Sequence, residues 1–129
     1  MGNSQSQVHN FKLKMMQNFE MTDLGVLKYF LGLEVQQDEE GIFLSQRSYA
    51  EKLLKRFNMQ HCKSIATPVN NGEKLQLCDN SGEANAQQYR SLVGGLIYLT
   101  HTRPDISFSV RMISKFMNSP TKMHLSAAK

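Results

Sequence analysis

The sequence predicts an α+β fold: an opening helix, an antiparallel β-hairpin, then a helical half. Three features predict it. Apolar residues recur at offsets of three and four in four separate stretches, the spacing of amphipathic helices. Two short alternating runs, KYFLGLEVQQ and IFLSQ, flank an acidic turn, DEEG, that ends in glycine. A length of 129 residues suits a single unit and is too short for two independent cores.

From Ser4 to Phe19, Val8, Phe11, Met15 and Phe19 form a helical stripe while Lys12 and Lys14 face water. The turn-like Thr22-Asp23-Leu24-Gly25 leads into the hairpin. Gly32 interrupts its first strand, where a glycine marks a bulge or the close approach of another backbone or a ligand. Ser48 with Glu51 predicts a capping box, ahead of a helix carrying Tyr49, Leu53, Leu54 and Phe57. Periodicity is lost from Asn58 to about Gly82, where Thr67-Pro68, Asn70-Asn71-Gly72 and Asp79-Asn80-Ser81-Gly82 supply turns, so a connector or covering loop is expected at about 58–83. Residues 1–47 and 48–129 are expected to form the hairpin-bearing and helical parts.

Near Ala84 the helical pattern resumes, with Tyr89, Leu92, Val93, Leu96 and Leu99 on one face. Arg103-Pro104-Asp105 restarts a helix with Ile106, Val110, Ile113 and Met117 on one face and Phe108, Met112 and Phe116 beside them, an apolar surface wide enough for several neighbours. Ser119-Pro120 is read as a cap before the last helix, which runs from Thr121 to the end of the chain at Lys129.

Composition narrows the function. Hydrophobic residues make up 40% and charged residues 20%, with a mean hydropathy of -0.42, which argues for a packed body and against a disordered tail. No membrane span is expected, because no window approaches the required apolar run. Lys and Arg exceed Asp and Glu by 15 to 11, a formal +4, a balance that favours polyanionic partners. Cys62 and Cys78 lack zinc-site or disulfide spacing, and a reducing compartment is the default. Met1-Gly2-Asn3-Ser4-Gln5-Ser6 fits the loose N-myristoylation pattern, although one acyl chain would hold a protein at a membrane only marginally.

Few catalytic arrangements survive inspection. Metal-assisted nucleotidyl transfer needs carboxylates that share cations, whereas Asp23, Asp38, Asp79 and Asp105 are far apart in sequence and sit beside turn residues. Glu39-Glu40 reads as a solvated loop tip. Neither cysteine lies at a helix start that would make it nucleophilic, and His61, Cys62, Cys78 and His101 match no metal template. Phosphate loops of the GxxxxGK[ST] and GxGxxG types are absent. One alignment stands out: Arg90, Gly94, Tyr98 and His101 form a second stripe opposite the Leu92-Leu96-Leu99 face. Gly94 and Gly95 in mid-helix cost about 1 kcal/mol each relative to alanine, so close approach of a neighbouring helix or of a nucleic-acid backbone is expected there.

Five blocks in order, FEMTDLGVLKYFLGLEV, GIFLSQRSYAEKLLKRF, ATPV, YRSLVGGLIYLTHTRPDISFSV and MNSPTKMHLSAAK, resemble the Pol polyprotein of copia-type LTR retrotransposons, common in plant genomes. The resemblance covers about Val8 to Lys129 and falls in the reverse transcriptase just after its catalytic palm strands. It implies that KYFLGLEV is similar to the primer grip, with Phe30, Leu31 and Gly32 at its apolar, apolar and glycine positions. It implies that YRSLVGGLIYL is similar to the thumb helix along the minor groove, with Arg90, Gly94 and Tyr98 at the flanking positions. The fold then reads as a palm edge over 1–47 and a thumb over 48–129.

The paired-aspartate motif expected just upstream of Gly2-Asn3 is absent from this sequence, as are the RNase H acidic residues. The resemblance therefore implies a non-catalytic piece of an RNA-directed DNA polymerase, without a cofactor of its own; Mg²⁺ belongs to the intact polymerase. Implied partners are RNA–DNA or DNA duplex, bound weakly and without sequence preference, and the remainder of the Pol polyprotein. The cytoplasm or nucleus is the expected location, and an organelle is compatible with the resemblance. The contrasting expectation is a stand-alone protein-interaction module using the apolar surface around Phe108, Met112 and Phe116.

Overall fold

A computed structural model of the chain describes residues 4–68, 74–77 and 79–129. The Gly2 acylation pattern, the Asn70-Asn71-Gly72 turn and Cys78 lie outside them. Helix α1 spans Gln5–Asn18, followed by strands β1 (Tyr29–Phe30), β2 (Leu33–Gln37) and β3 (Ile42–Ser45). Helices α2 (Arg47–Arg56), α3 (Ala86–Leu99), α4 (Ser107–Ser114) and α5 (Lys122–Ala128) complete the α+β fold, with a 3₁₀ turn at Pro104–Ile106 before α4.

The strands form one antiparallel sheet in the order β1-β2-β3. KYFLGLEVQQ is not one strand. It folds back at Leu31-Gly32, so that Phe30 pairs with Leu33 and Tyr29 with Glu34. Leu31 (φ 49°) and Gly32 (φ 81°) both take the left-handed conformation that a two-residue hairpin turn demands. Cross-strand partners share a face, so Phe30 and Leu33, which an uninterrupted strand would put on opposite faces, lie together; the uniformly apolar Phe30-Leu31-Gly32-Leu33 run does not reveal that change of phase. The predicted acidic turn is present: Gln37 pairs with Ile42, and Asp38 Oδ1 accepts from the backbone N–H of Glu40 and Gly41, each at 3.0 Å.

The start of α2 differs from expectation. The Ser48/Glu51 capping box does not form. Instead Glu34 Oε1 of β2 accepts from the Ser48 backbone N–H at 2.7 Å, while Glu51 pairs with Arg47 at 3.3 Å. A carboxylate brought from the sheet outcompetes the local cap because it meets the positive end of the helix dipole without straining the helix. It also ties β2 to α2. Asn85 caps α3, its Oδ1 accepting from the Gln88 N–H at 2.9 Å. The cap of α5 is Thr121 rather than Ser119: its hydroxyl accepts from the His124 N–H, and His124 Nδ1 accepts from the Thr121 N–H at 3.0 Å.

Helices α3, α4 and α5 enclose the core of Tyr89, Leu92, Val93, Ile113, Phe116 and Ala128. Tyr89 is fully buried and donates to the Ile113 carbonyl at 2.7 Å, and burial pushes its hydroxyl pKa up to about 12. His124 is also fully buried, stacked on Phe116 with ring centroids 3.8 Å apart. Its Nδ1 is an acceptor, so Nε2 carries the proton and donates to the Gln76 carbonyl at 2.9 Å.

The far end of the expected connector is thereby fastened to α5. Asp79 accepts from the Thr121 hydroxyl at 2.6 Å, the Gly82 carbonyl accepts from the Lys122 N–H at 2.9 Å, and Ala84 donates to the Pro120 carbonyl at 2.9 Å. The α4 helix ends at Ser114, earlier than the apolar pattern suggests, and Phe116 reaches the core from the turn that follows. Helix α1 contributes nothing to the core: none of its residues is buried, and Phe11 and Phe19 of the predicted stripe are exposed. Its tie to the following segment is an ion pair between Lys12 and Asp23 at 2.7 Å.

Hydrogen bonds from Ser48, side chain and backbone, hold Glu34 below its ordinary pKa of 4.5. A depressed folded-state pKa means that the stabilisation is complete above 4.5 and is lost as the pH falls through the lower folded value. Glu34→Gln should therefore melt below the wild type at neutral pH, with the gap closing in thermal melts taken at progressively lower pH.

Candidate nucleic-acid interface

Two elements were marked by the sequence, the Phe30-Leu31-Gly32 segment and the Arg90-Gly94-Tyr98 stripe of α3. The fold brings them together at Tyr98. Its hydroxyl donates to the Leu31 carbonyl at 2.5 Å, joining residues 67 apart in the chain. A Cβ on Gly32 would lie within van der Waals overlap of that hydroxyl, so this glycine is required both for its left-handed φ and for the closeness of Tyr98. The close approach expected at Gly32 is made by Tyr98 of the same chain.

Tyr98 is held from several sides. Its ring meets Tyr49 of α2 edge-on at 4.7 Å and lies 5.6 Å from the His101 ring. Its carbonyl accepts from Nε2 of Gln46 at 3.2 Å and lies 2.8 Å from His101 Nδ1. Gln46 is buried, and its Oε1 accepts from the Thr102 hydroxyl at 2.8 Å, so both ends of its amide are satisfied. Burial raises the Tyr49 pKa, keeping its hydroxyl a donor toward the Gly95 carbonyl at 3.3 Å. Nothing in the periodicity marks Gln46, because a polar residue at the end of a strand reads as solvent-facing.

The adjacent glycines have separate roles. Gly95 is buried, and a Cβ there would come within 2.5 Å of Leu53 Cδ1 and 3.3 Å of the Tyr49 hydroxyl, so α2 packs directly on the α3 backbone. Gly94 is exposed, and a Cβ there would meet nothing within 4 Å. The neighbouring-helix explanation thus accounts for Gly95 and leaves Gly94 unexplained by packing. Arg90 lies one turn before Gly94 on the same exposed face; its Nε donates to the Ala86 carbonyl at 3.2 Å, and it forms no salt bridge among the described residues. Phe30 and Leu31 are exposed at the hairpin end, Leu31 to 79%.

The aspartates serve local structure. Asp23 accepts from the Gly25 N–H at 2.9 Å, Asp79 from the Ser81 N–H at 2.8 Å, and Asp105 pairs with Arg103 at 2.7 Å. Each has a lowered pKa, caused first by the Lys12, Ser81 and Arg103 side chains respectively. Among the described residues no group of three or more His, Cys, Asp or Glu is placed to hold a metal ion. Nor is any helix among them long and apolar enough to cross a membrane.

Comparison with known proteins identifies the family. The family described as Reverse transcriptase (RNA-dependent DNA polymerase) matches residues 1–71. The chain is similar to the Retrovirus-related Pol polyprotein from transposon RE1 of Arabidopsis thaliana, 41% identical over 128 residues, 99% of this chain and 9% of that protein. It is also similar to the Pol polyprotein from transposon TNT 1-94 of Nicotiana tabacum, 33% identical over 99% of this chain and 10% of the relative. An uncharacterized mitochondrial protein of Arabidopsis thaliana is 38% identical over 93% of this chain and 50% of its own length. The chain therefore spans about a tenth of the polyproteins and half of the mitochondrial relative. No solved structure gives a significant match. With more than half of its residues matched, this chain belongs to the reverse transcriptase (RNA-dependent DNA polymerase) family of retrotransposon Pol polyproteins.

Proposed function

We propose that this chain is a clamp for primer-template duplex, with catalysis and its Mg²⁺ supplied by other parts of the Pol polyprotein. The observation that carries the reading is Gly94: a mid-helix glycine with open space above it, one turn from an exposed arginine, on a rod that also holds the hairpin tip. Helix stability disfavours that glycine by about 1 kcal/mol, and close passage of a sugar–phosphate backbone gives a reason for it. Arg90 would contact phosphate beside it. Phe30 and Leu31 would meet the primer end, and Gly32 and Tyr98 would set the tip's position from within. Binding of this kind reads duplex shape, is indifferent to sequence, and serves RNA–DNA hybrid or DNA duplex in the cytoplasm, nucleus or an organelle.

Affinity for a labelled RNA–DNA hybrid, measured across a salt series, should fall linearly on a log–log plot, and Arg90→Gln should reduce the slope by about 1. A protein-interaction module would show no hybrid affinity at any salt concentration. Gly94→Leu should weaken hybrid binding by about an order of magnitude while helicity by circular dichroism is unchanged, because the new side chain projects into open space. Unaltered affinity in that variant would remove α3 from the interface.

The Tyr98 hydrogen bond has its own readout. Tyr98→Phe should cost the sheet about 1 kcal/mol of local stability, roughly a fivefold rise in hydrogen exchange at hairpin amides such as Val35, with no change in core amides.

A further inference from the structure

The sheet has two chemically different faces. Directly opposed residues share a face, so Phe30, Leu33, Val35, Leu44 and Ile42 lie together, while Tyr29, Glu34, Gln36, Phe43 and Ser45 lie on the other. The second face turns Glu34 and Ser45 toward the start of α2. The first face is apolar along its length apart from Gln37, and no helix packs broadly against any strand among the described residues. Phe30 is 54% exposed, Ile42 66% and Leu44 48%. A contiguous apolar face of this kind on a small basic chain marks an interaction surface.

Its location indicates the occupant. The exposed apolar residues of α1 and of the sheet all fall within residues 1–71, the stretch that matches the reverse transcriptase family. The helices that bury their own core, from Tyr89 to Ala128, lie beyond it. Among the described residues of the matched half only Leu53 and Gln46 are buried, both toward α3 and neither from the sheet strands, as expected of an inner layer whose covering layer is carried by other residues. Those residues exist in the relatives, of which this chain covers 9% and 10%.

We propose that the Phe30-Leu33-Val35-Ile42-Leu44 face is a docking surface for the remaining part of a reverse transcriptase domain, so that this chain can complete, in trans, a domain lacking the matching stretch. The proposal rests on membership of the family and not on duplex binding. Either can fail without the other.

The test mixes the full chain with the reverse transcriptase domain of the RE1 relative from which the matching stretch has been deleted, and follows assembly by analytical ultracentrifugation. A 1:1 complex is expected, weakened roughly tenfold or more by Ile42→Lys with Leu44→Lys, which place charge in an apolar contact. Both positions are solvent-exposed and outside the core, so this variant should keep the wild-type melt. Absence of a complex, equal affinity in the variant, or self-association of the chain that the variant abolishes would each overturn the proposal. A second measurement covers an insoluble deletion partner. Leu44→Cys in a Cys62→Ser, Cys78→Ser background is labelled with maleimide, as the free chain and within a chimera in which this sequence replaces the matching stretch of the RE1 domain. Labelling should be about tenfold slower or more in the chimera, and equal rates would overturn the proposal.

Discussion

The sheet in this chain has no core of its own, and one tyrosine decides where it sits. Tyr98 uses its hydroxyl on the Leu31 carbonyl, its ring on Tyr49 and its carbonyl on Gln46. Each contact reaches a different element: the hairpin turn, α2, and the junction between β3 and α2. A single hydrogen bond is worth only about 1 kcal/mol net. Several contacts converging on one residue of a rigid rod nevertheless fix both the position and the direction of what they hold. Helix α3 can be that rod because its opposite face supplies Tyr89, Leu92 and Val93 to the core.

The two glycines of α3 follow from this double duty. A helix that touches α2 this closely cannot carry a side chain at the point of contact. Gly95 lets Leu53 and Tyr49 reach the helix backbone, and the Gly95 carbonyl receives the Tyr49 hydroxyl in return. Gly94, one residue earlier, is rotated by about 100° and faces solvent. Together the pair costs the helix about 2 kcal/mol relative to alanine. Packing recovers the share due to Gly95, while the fold offers no recovery at Gly94. That asymmetry sets Gly95, which packing explains, apart from Gly94, which packing does not.

The helical half was largely legible, because the period of its apolar residues is imposed by the core they fill: Tyr89, Leu92, Val93, Val110 and Ile113 were placed inward by spacing and are buried. What spacing could not supply was long-range. The Leu31-Gly32 turn hides within an apolar run, Glu34 displaces a plausible local capping box from fourteen residues away, and Gln46 becomes a buried junction only because Tyr98 and Thr102 arrive from α3 and its end. Of the candidate site, Gly32 was marked for close approach but its neighbour was not foreseen, and spacing placed Gly94 on the stripe with Arg90 without showing that Gly95 is the one packed against α2. The stripe of α1 does fall on a helix, yet a stripe says only that a partner is needed, not that it is present.

Leu31 carries the same logic one step further. A branched side chain in the left-handed region costs roughly 1–2 kcal/mol, and glycine or asparagine would offer Tyr98 the same carbonyl at lower strain. The leucine side chain returns little to the fold, since it stands 79% exposed at the end of the hairpin. Its neighbours Tyr29 and Phe30 are exposed as well. The stability of the sheet does not explain a strained turn that is held through its backbone and presents apolar side chains outward. The fold spends its hydrogen bonds on fixing the backbone there, which leaves the side chains free to be used by a ligand or a partner layer.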